Sequence, residues 1–466
     1  MNQLPAYKWL YASHRIALIC MMIVVLLAAS CKDLLEDPPD NGRQPERCPP
    51  LVRVIPTDMP ANELLDLVQR QTLRYFWEFA EPNSGMARER NTSGNLVTTG
   101  GTGFGIMAMI AGAERGFIER DHVLERVLKI GHFLEQADRF HGAWPHWMDG
   151  RTGRTLRFSE LDDGGDLVET AFLLQGLIAA REYFDGDQTR EMELRNLVDT
   201  LYYGVNWQWY TRGQNTLYWH WSANHGFAMN MQIRGWHEAL IVYILAAGSP
   251  TYPIQPAVYH QGWARNGNMR NGGYFYDIRL PLGPNFGGPL FFAHYSFLGL
   301  DPRGLKDQYA DYWEQNRAHS LINYRYSVAN PGDFCHYSDR LWGLTASDDP
   351  EVGYQAHAPF NFSGRDNGTI TPTAALSSMP YTPEESLRAL HTFYYYLHDR
   401  LWGPYGFKDA LNLSLDWFAN SYLAIDQGPI VVMIENHRSG LLWEVFMRNE
   451  QVYEGLKILG FYYNND

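Results

Sequence analysis

The sequence predicts an all-α protein whose paired helices close into a toroid around an acidic cavity, with long loops at the rim. Three observations carry this reading. Apolar residues recur three and four apart in segment after segment, giving about eleven or twelve helices. The connections are rich in Gly, Asn, Trp and Tyr, whereas alternating strand patterns are short and scattered. After position 60 no Pro, Gly or Ser linker divides the chain, so one closed architecture fits better than two domains.

Residues 1–30 stand apart. Lys8 and Arg15 precede an apolar run from Ile16 to Ala29 that ends in LAASC, the pattern of a secretory signal and not of a membrane span. The small residues before Cys31 resemble a lipoprotein lipobox, although Ala28 stands where such motifs usually carry Leu. Cleavage before Cys31 and lipidation there are expected, which makes the lipid the protein's membrane contact. The following KDLLED resembles the export tag of surface lipoproteins, so the expected location is the outer membrane, facing the periplasm or the cell exterior. Residues 31–60 hold seven prolines and little periodicity, and read as an extended tether. The folded body is placed at residues 61–466.

Without the signal, 36 basic residues face 52 acidic ones, a formal charge of −16. Nucleic acid is thereby excluded as a partner. Cys48 and Cys335 form a pair that an oxidising compartment can join, with free buried thiols as the alternative.

Within the body, helical periodicity marks NELLDLVQRQTLRYFWEFA, GFGIMAMIAGAERGF, HVLERVLKIGHFLEQA and LVETAFLLQGLIAAREYF. It continues through EMELRNLVDTLYYGVNWQWY, IRGWHEALIVYILAAGS, GLKDQYADYWEQNRAHSLINY and EESLRALHTFYYYLHDRLW. TTGGTGFGIMA carries Gly103, Gly105 and Ala108 in a G-x-G-x-x-A pattern with Asp121 downstream. A dinucleotide site is nonetheless not expected, because NLVTTG is too short and polar for the buried strand that must precede it. A loop packed closely beside a cavity is the reading instead.

SELDDGGDLVET, residues 159–170, crowds Asp162, Asp163, Asp166 and Glu169 onto the start of an apolar helix. Capping by Asp163 or Gly164 would put Asp166 and Glu169 on one face, with Asp162 close by. One cap and one charge suffice for a helix start, so functional use of the remainder is the stronger reading. Crowded carboxylates raise one another's pKa, and glycoside hydrolysis needs an acid and a base in different protonation states. One helix cannot flank a sugar from both sides, and Glu238, at the lip of the apolar run ALIVYIL, is the best partner. HEALI lacks the second His of a zinc motif, so His237 and Glu238 are not read as ligands; neither metal nor cofactor is expected. Trp144, Trp147, Trp219 and Trp221 lie in Gly- and His-containing loops suited to stacking on pyranose rings, with His146, His220 and Asn224 for hydroxyls. Arg88, Arg90 and Asp426 can hold further hydroxyls or serve in salt bridges.

From about Asn62 to Phe461, through YFWEFAEPNSGMARERN, WPHWMDGRTG, ELDDGGDLVETAFLLQGLIAAR, MQIRGWHEALIVYILAAGSP and IDQGPIVVMIENHRSGLLW, the chain resembles the bacterial glucoamylase-like proteins that include glycoside hydrolase family 144, the β-1,2-glucanases. The resemblance implies an (α/α)6 barrel and metal-independent, inverting cleavage of β-1,2-glucan, exo with sophorose release or endo. It implies roles for Asp162, Asp166, Glu169 and Glu238, with Glu238 as general acid, Asp166 or Glu169 on the base side and Asp162 supporting. A monomer acting on β-1,2-glucan or its oligosaccharides is expected. The competing readings are a non-catalytic glycan-binding lipoprotein and an α/α-toroid hydrolase or lyase of another linkage specificity.

Overall fold

The computed structural model describes residues 48–359 and 366–463. The signal segment, Cys31 and the first part of the tether lie outside the described residues. Residues 48–60 were read as tether, yet they are fastened to the body. Cys48 is bonded to Cys335 across 287 positions, with the two Cα atoms 5.5 Å apart. Nearby, the Val54 and Ile55 amides donate to the Tyr395 carbonyl and the Met59 amide to the Tyr395 hydroxyl.

The protein is mostly helical, with thirteen α-helices among the described residues. They are α1 (Ala61–Trp77), α2 (Thr99–Glu114), α3 (Arg120–Gln136), α4 (Leu167–Tyr183), α5 (Thr189–Tyr203), α6 (Leu240–Gly248), α7 (Tyr312–Ala329), α8 (Pro372–Ser377), α9 (Pro383–Tyr395), α10 (His398–Leu401), α11 (Ala424–Arg438), α12 (Leu441–Met447) and α13 (Glu450–Ile458). Strands are present but only two to four residues long; they staple loops to one another and do not build a sheet core.

Helices α2 and α4 are buried along nearly their whole length, as their all-round apolar sequences require. They pack on each other, α11 lies against both α1 and α2, α3 packs on α5, and α6 on α13. By contrast α1 and α3 bury one stripe and expose the other. The α2–α4 contact explains the glycine pattern. A Cβ on Gly103 would lie 2.1 Å from the Phe172 carbonyl oxygen, and one on Gly176 2.1 Å from the Gly103 oxygen. The stretch read as a loop is thus a helix whose glycines admit a neighbouring backbone.

Candidate active site

Helix α4 starts three residues later than the acidic stretch suggested, and Asp166 itself is its N-cap. Its Oδ1 accepts from the amides of Val168 and Glu169, each at 2.9 Å. Its Oδ2 accepts from the Trp219 indole and faces His146 Nδ1, each at 3.1 Å. Those four partners use the carboxylate completely and bury it. The expectation that Asp163 or Gly164 caps the helix is corrected, because a short strand holds Gly165–Asp166 against His220–Trp221 and delays the helical turn.

That pairing brings the 217–233 loop onto the acidic segment. The Gly164 amide donates to His220 Nε2 at 3.0 Å, and Asp162 Oδ1 lies 3.3 Å from the same nitrogen. An imidazole nitrogen that accepts from an amide meets a carboxyl comfortably only if the carboxyl is protonated. Burial, then the Asp166 charge, push Asp162 up to about 7, and burial lowers His220, so the two agree. Asp163 turns to the 217–233 loop, where the Ser222 hydroxyl and the Asn224 amide donate to it.

Glu169 occupies the third position of α4 and points into a cavity of about 480 Å³. Its Oε2 accepts the Gly100 amide at 2.7 Å, and its Oε1 lies 3.9 Å from His146 Nε2. Burial raises its pKa against the pull of His146. Glu238 reaches the same cavity from the turn before α6, with His237 Nδ1 3.2 Å away. Helix α6 is wholly apolar and brings no cap of its own. Ser296 substitutes: its hydroxyl accepts the Ile241 amide and donates to the Glu238 carbonyl, fixing the Glu238 backbone.

Seven aromatic side chains share the lining: Trp147, Phe158, Phe172, Trp219, Phe291, Tyr295 and Tyr354. Phe158 and Tyr354 expose 46% and 48% of their surface, which leaves ring area open to a ligand. Across the cavity stand Glu89 and Arg90. Arg90 bonds Asp348 at 3.1 Å, and the Asp348 amide donates to Asp409. Asp426 is 2% exposed, its carboxyl set against that of Asp409. Burial, then Asp409, hold its pKa well above the carboxylate range. A hollow of about 430 Å³ elsewhere, lined by Asp58, Arg340, Arg388 and His391 among others, brings no two carboxylates together.

The structure therefore brings His146, Trp219, Glu169 and Glu238 into one cavity and sets Asp162 and Asp166 directly behind His146. Trp147 and Arg90, also expected to meet sugar, line the same cavity, whereas Trp144, Trp221, Asn224, Arg88 and Asp426 do not. Trp144 is fully buried, its indole donating to the Leu134 carbonyl. Trp221 packs among His141, Trp209 and Phe140, and Asn224 is committed to Asp163. Arg88 braces its own loop through the carbonyls of Phe79 and Gly94. Asp426 is buried behind Ile425 and does not line the cavity. Phe158, Tyr295 and Tyr354 were missed; Phe158 alone had a signal, four residues before Asp162 in a polar loop.

Among the described residues, His146, Asp162 and Asp166 are the group whose ligand atoms cluster within 4.8 Å. Those atoms are already paired with one another and with Trp219, which suits a hydrogen-bonded set better than a cation.

The family model described as "Glycoamylase" matches residues 230–450. An enzyme of Parabacteroides distasonis named exo β-1,2-glucooligosaccharide sophorohydrolase (non-reducing end) is 46% identical over 420 residues, covering 86% of this chain; the chain spans 58% of that relative's length. The endo-β-1,2-glucanase of Chitinophaga pinensis, solved with sophorotriose and glucose, is 50% identical with a TM-score of 0.85, covering 87% of this chain and 99% of that one. A β-1,2-glucanase structure from Parabacteroides distasonis is 44% identical with a TM-score of 0.83, covering 86% of this chain and 60% of that one. With half of the aligned residues identical to an enzyme spanned almost end to end, this chain belongs to glycoside hydrolase family 144, the family of the β-1,2-glucanases.

Proposed function

We propose that the protein hydrolyses β-1,2-glucan or its oligosaccharides with inversion, Glu238 acting as general acid and Glu169 as general base. The observation that carries the reading is that Glu169 and Glu238, supplied by different elements, face one cavity among aromatic rings, while the third carboxylate there, Glu89, is held by Arg90. In this mechanism the Glu238 carboxyl protonates the departing glycosidic oxygen as its bond to the anomeric carbon breaks. Water attacks that carbon from the opposite side and gives its proton to Glu169. Trp219, Phe158 and Tyr354 stack on pyranose faces, and Asp162 supports the electrostatics from behind. No cofactor takes part.

The same reading has the helices closing as an (α/α)6 toroid, supported by the return of α11 to α1 and α2. It places the protein as a monomer on the outer membrane through a lipid on Cys31, supported by LAASC and the prolines that follow. Exo and endo action both occur among the relatives' names, and the products distinguish them.

The test is product analysis of the protein from Cys31 onward on linear β-1,2-glucan and on starch, beside Glu238→Gln. Sophorose alone marks exo action and a ladder of longer products marks endo action. Cleavage of starch alone, cleavage of neither polymer, or a Glu238→Gln protein as fast as the parent would overturn the reading.

A further inference from the structure

We infer that His146 is a positioning residue that keeps Glu169 ionised as the base, and not a ligand for sugar hydroxyls. The inference rests on the assignment of Glu169 under the proposed function and names the device that makes that assignment work.

The argument begins with Asp166. Three N–H donors, from Val168, Glu169 and Trp219, converge on its carboxylate, so it remains an acceptor. His146 Nδ1, 3.1 Å from its Oδ2, must then be the donor in that contact. This fixes one ring proton and turns Nε2 towards Glu169 Oε1, 3.9 Å away. Two arrangements remain for that pair. Either Nε2 is protonated and faces a carboxylate, or Nε2 is bare and Glu169 holds the proton.

The surroundings choose the first. Asp166, Glu169, Asp162 and Glu89 act on the imidazole as acids, and His220, itself lowered by burial, is the other titratable group coupled to it. Burial alone would depress the imidazole, but the Glu169 charge and the Asp166 hydrogen bond carry it to about 9. On Glu169 itself burial, Asp166 and Glu238 favour the protonated acid, so the anion depends on His146 and on the Gly100 amide that donates to its other oxygen. Geometry also denies the ring a hydroxyl-binding role. Phe158 stacks on it at 4.0 Å and 15°, Trp147 meets it edge-on, and each nitrogen faces a carboxylate. Glu169 and Glu238 thus have different neighbours: Glu169 faces the His146 ring that Asp166 orients, whereas Glu238 lies beside His237, which is stacked on Trp219.

The experiment compares wild type, His146→Asn and His146→Gln by kcat and KM on β-1,2-glucan from pH 4 to pH 9. Asn offers an amide where Nδ1 stood, keeping the bond to Asp166 while removing the charge; Gln offers one towards Glu169 and loses that bond. The expected result is that the acidic limb of kcat moves up by about one pH unit or more in both variants. Activity below the limb falls about tenfold, and KM changes little. An unmoved acidic limb overturns the inference, and an unmoved limb with a raised KM returns His146 to hydroxyl binding. If Gln fails to fold, Asn alone decides. Failure of wild type to cut the polymer refutes the functional reading instead, so the two failures are distinguishable.

Discussion

Replacing Asp166 by Ala separates a helix cap from a catalytic base. The variant loses the N-cap of α4, worth about 1 kcal/mol. It also leaves the Trp219 indole N–H and His146 Nδ1 without their buried acceptor, at roughly 1–3 kcal/mol for each stranded group. The expected loss is therefore roughly 3–7 kcal/mol, with Asp166→Asn losing less because its amide oxygen still caps. Urea unfolding followed by circular dichroism measures this, and steady-state kinetics on the fraction that remains folded measures the chemistry. Activity should fall through the displaced Trp219 and His146 but stay at least about tenfold above that of Glu238→Gln. A destabilisation under about 1 kcal/mol with activity as low as Glu238→Gln would refute the cap assignment and make Asp166 the base.

Three further outcomes follow from the geometry. Gly103→Ala places a methyl 2.1 Å from the Phe172 carbonyl and 2.6 Å from the Leu173 Cα, so α2 and α4 must separate; a loss of about 3 kcal/mol or more, or failure to fold, is expected in thermal unfolding. Tyr354→Ala should raise KM about fivefold, about 1 kcal/mol of lost stacking, with kcat little changed in initial-rate assays. Stability should fall as pH rises through two windows. His146, raised from 6.5 to about 9, contributes fully below 6.5 and loses its contribution by 9; Asp162, raised from 3.8 to about 7, loses its own between those values. The His146 window corresponds to about 3 kcal/mol, and His146→Asn should flatten the decline in melting temperature above pH 6.5.

Much of the helix inventory was legible because apolar spacing survives in sequence wherever a helix has one buried face, as in α1 and α3. The acids were legible for another reason: four carboxylates in eight residues, and one at the lip of a wholly apolar run, are anomalies in local composition. The tryptophans misled. Trp144 and Trp219 sit in loops of similar texture, yet Trp144 is buried against Leu134 while Trp219 faces the cavity. Residues 48–60 read as tether because prolines mask attachments made by a disulfide and backbone hydrogen bonds to Tyr395.

By itself the sequence determined the helical class and marked Glu169 and Glu238 as carboxylates out of keeping with their apolar surroundings, since residue type and local periodicity are enough for these. Only the tertiary structure decided which carboxylate caps, which is protonated and which faces the cavity. Asp166 became a cap when a strand from the 217–233 loop delayed its helix. Asp162 was raised by burial beside His220. Tyr354 joined the cavity from nearly two hundred residues away. Hydrogen-bond partners and desolvation are properties of what folds against a side chain, and the chain order does not carry them.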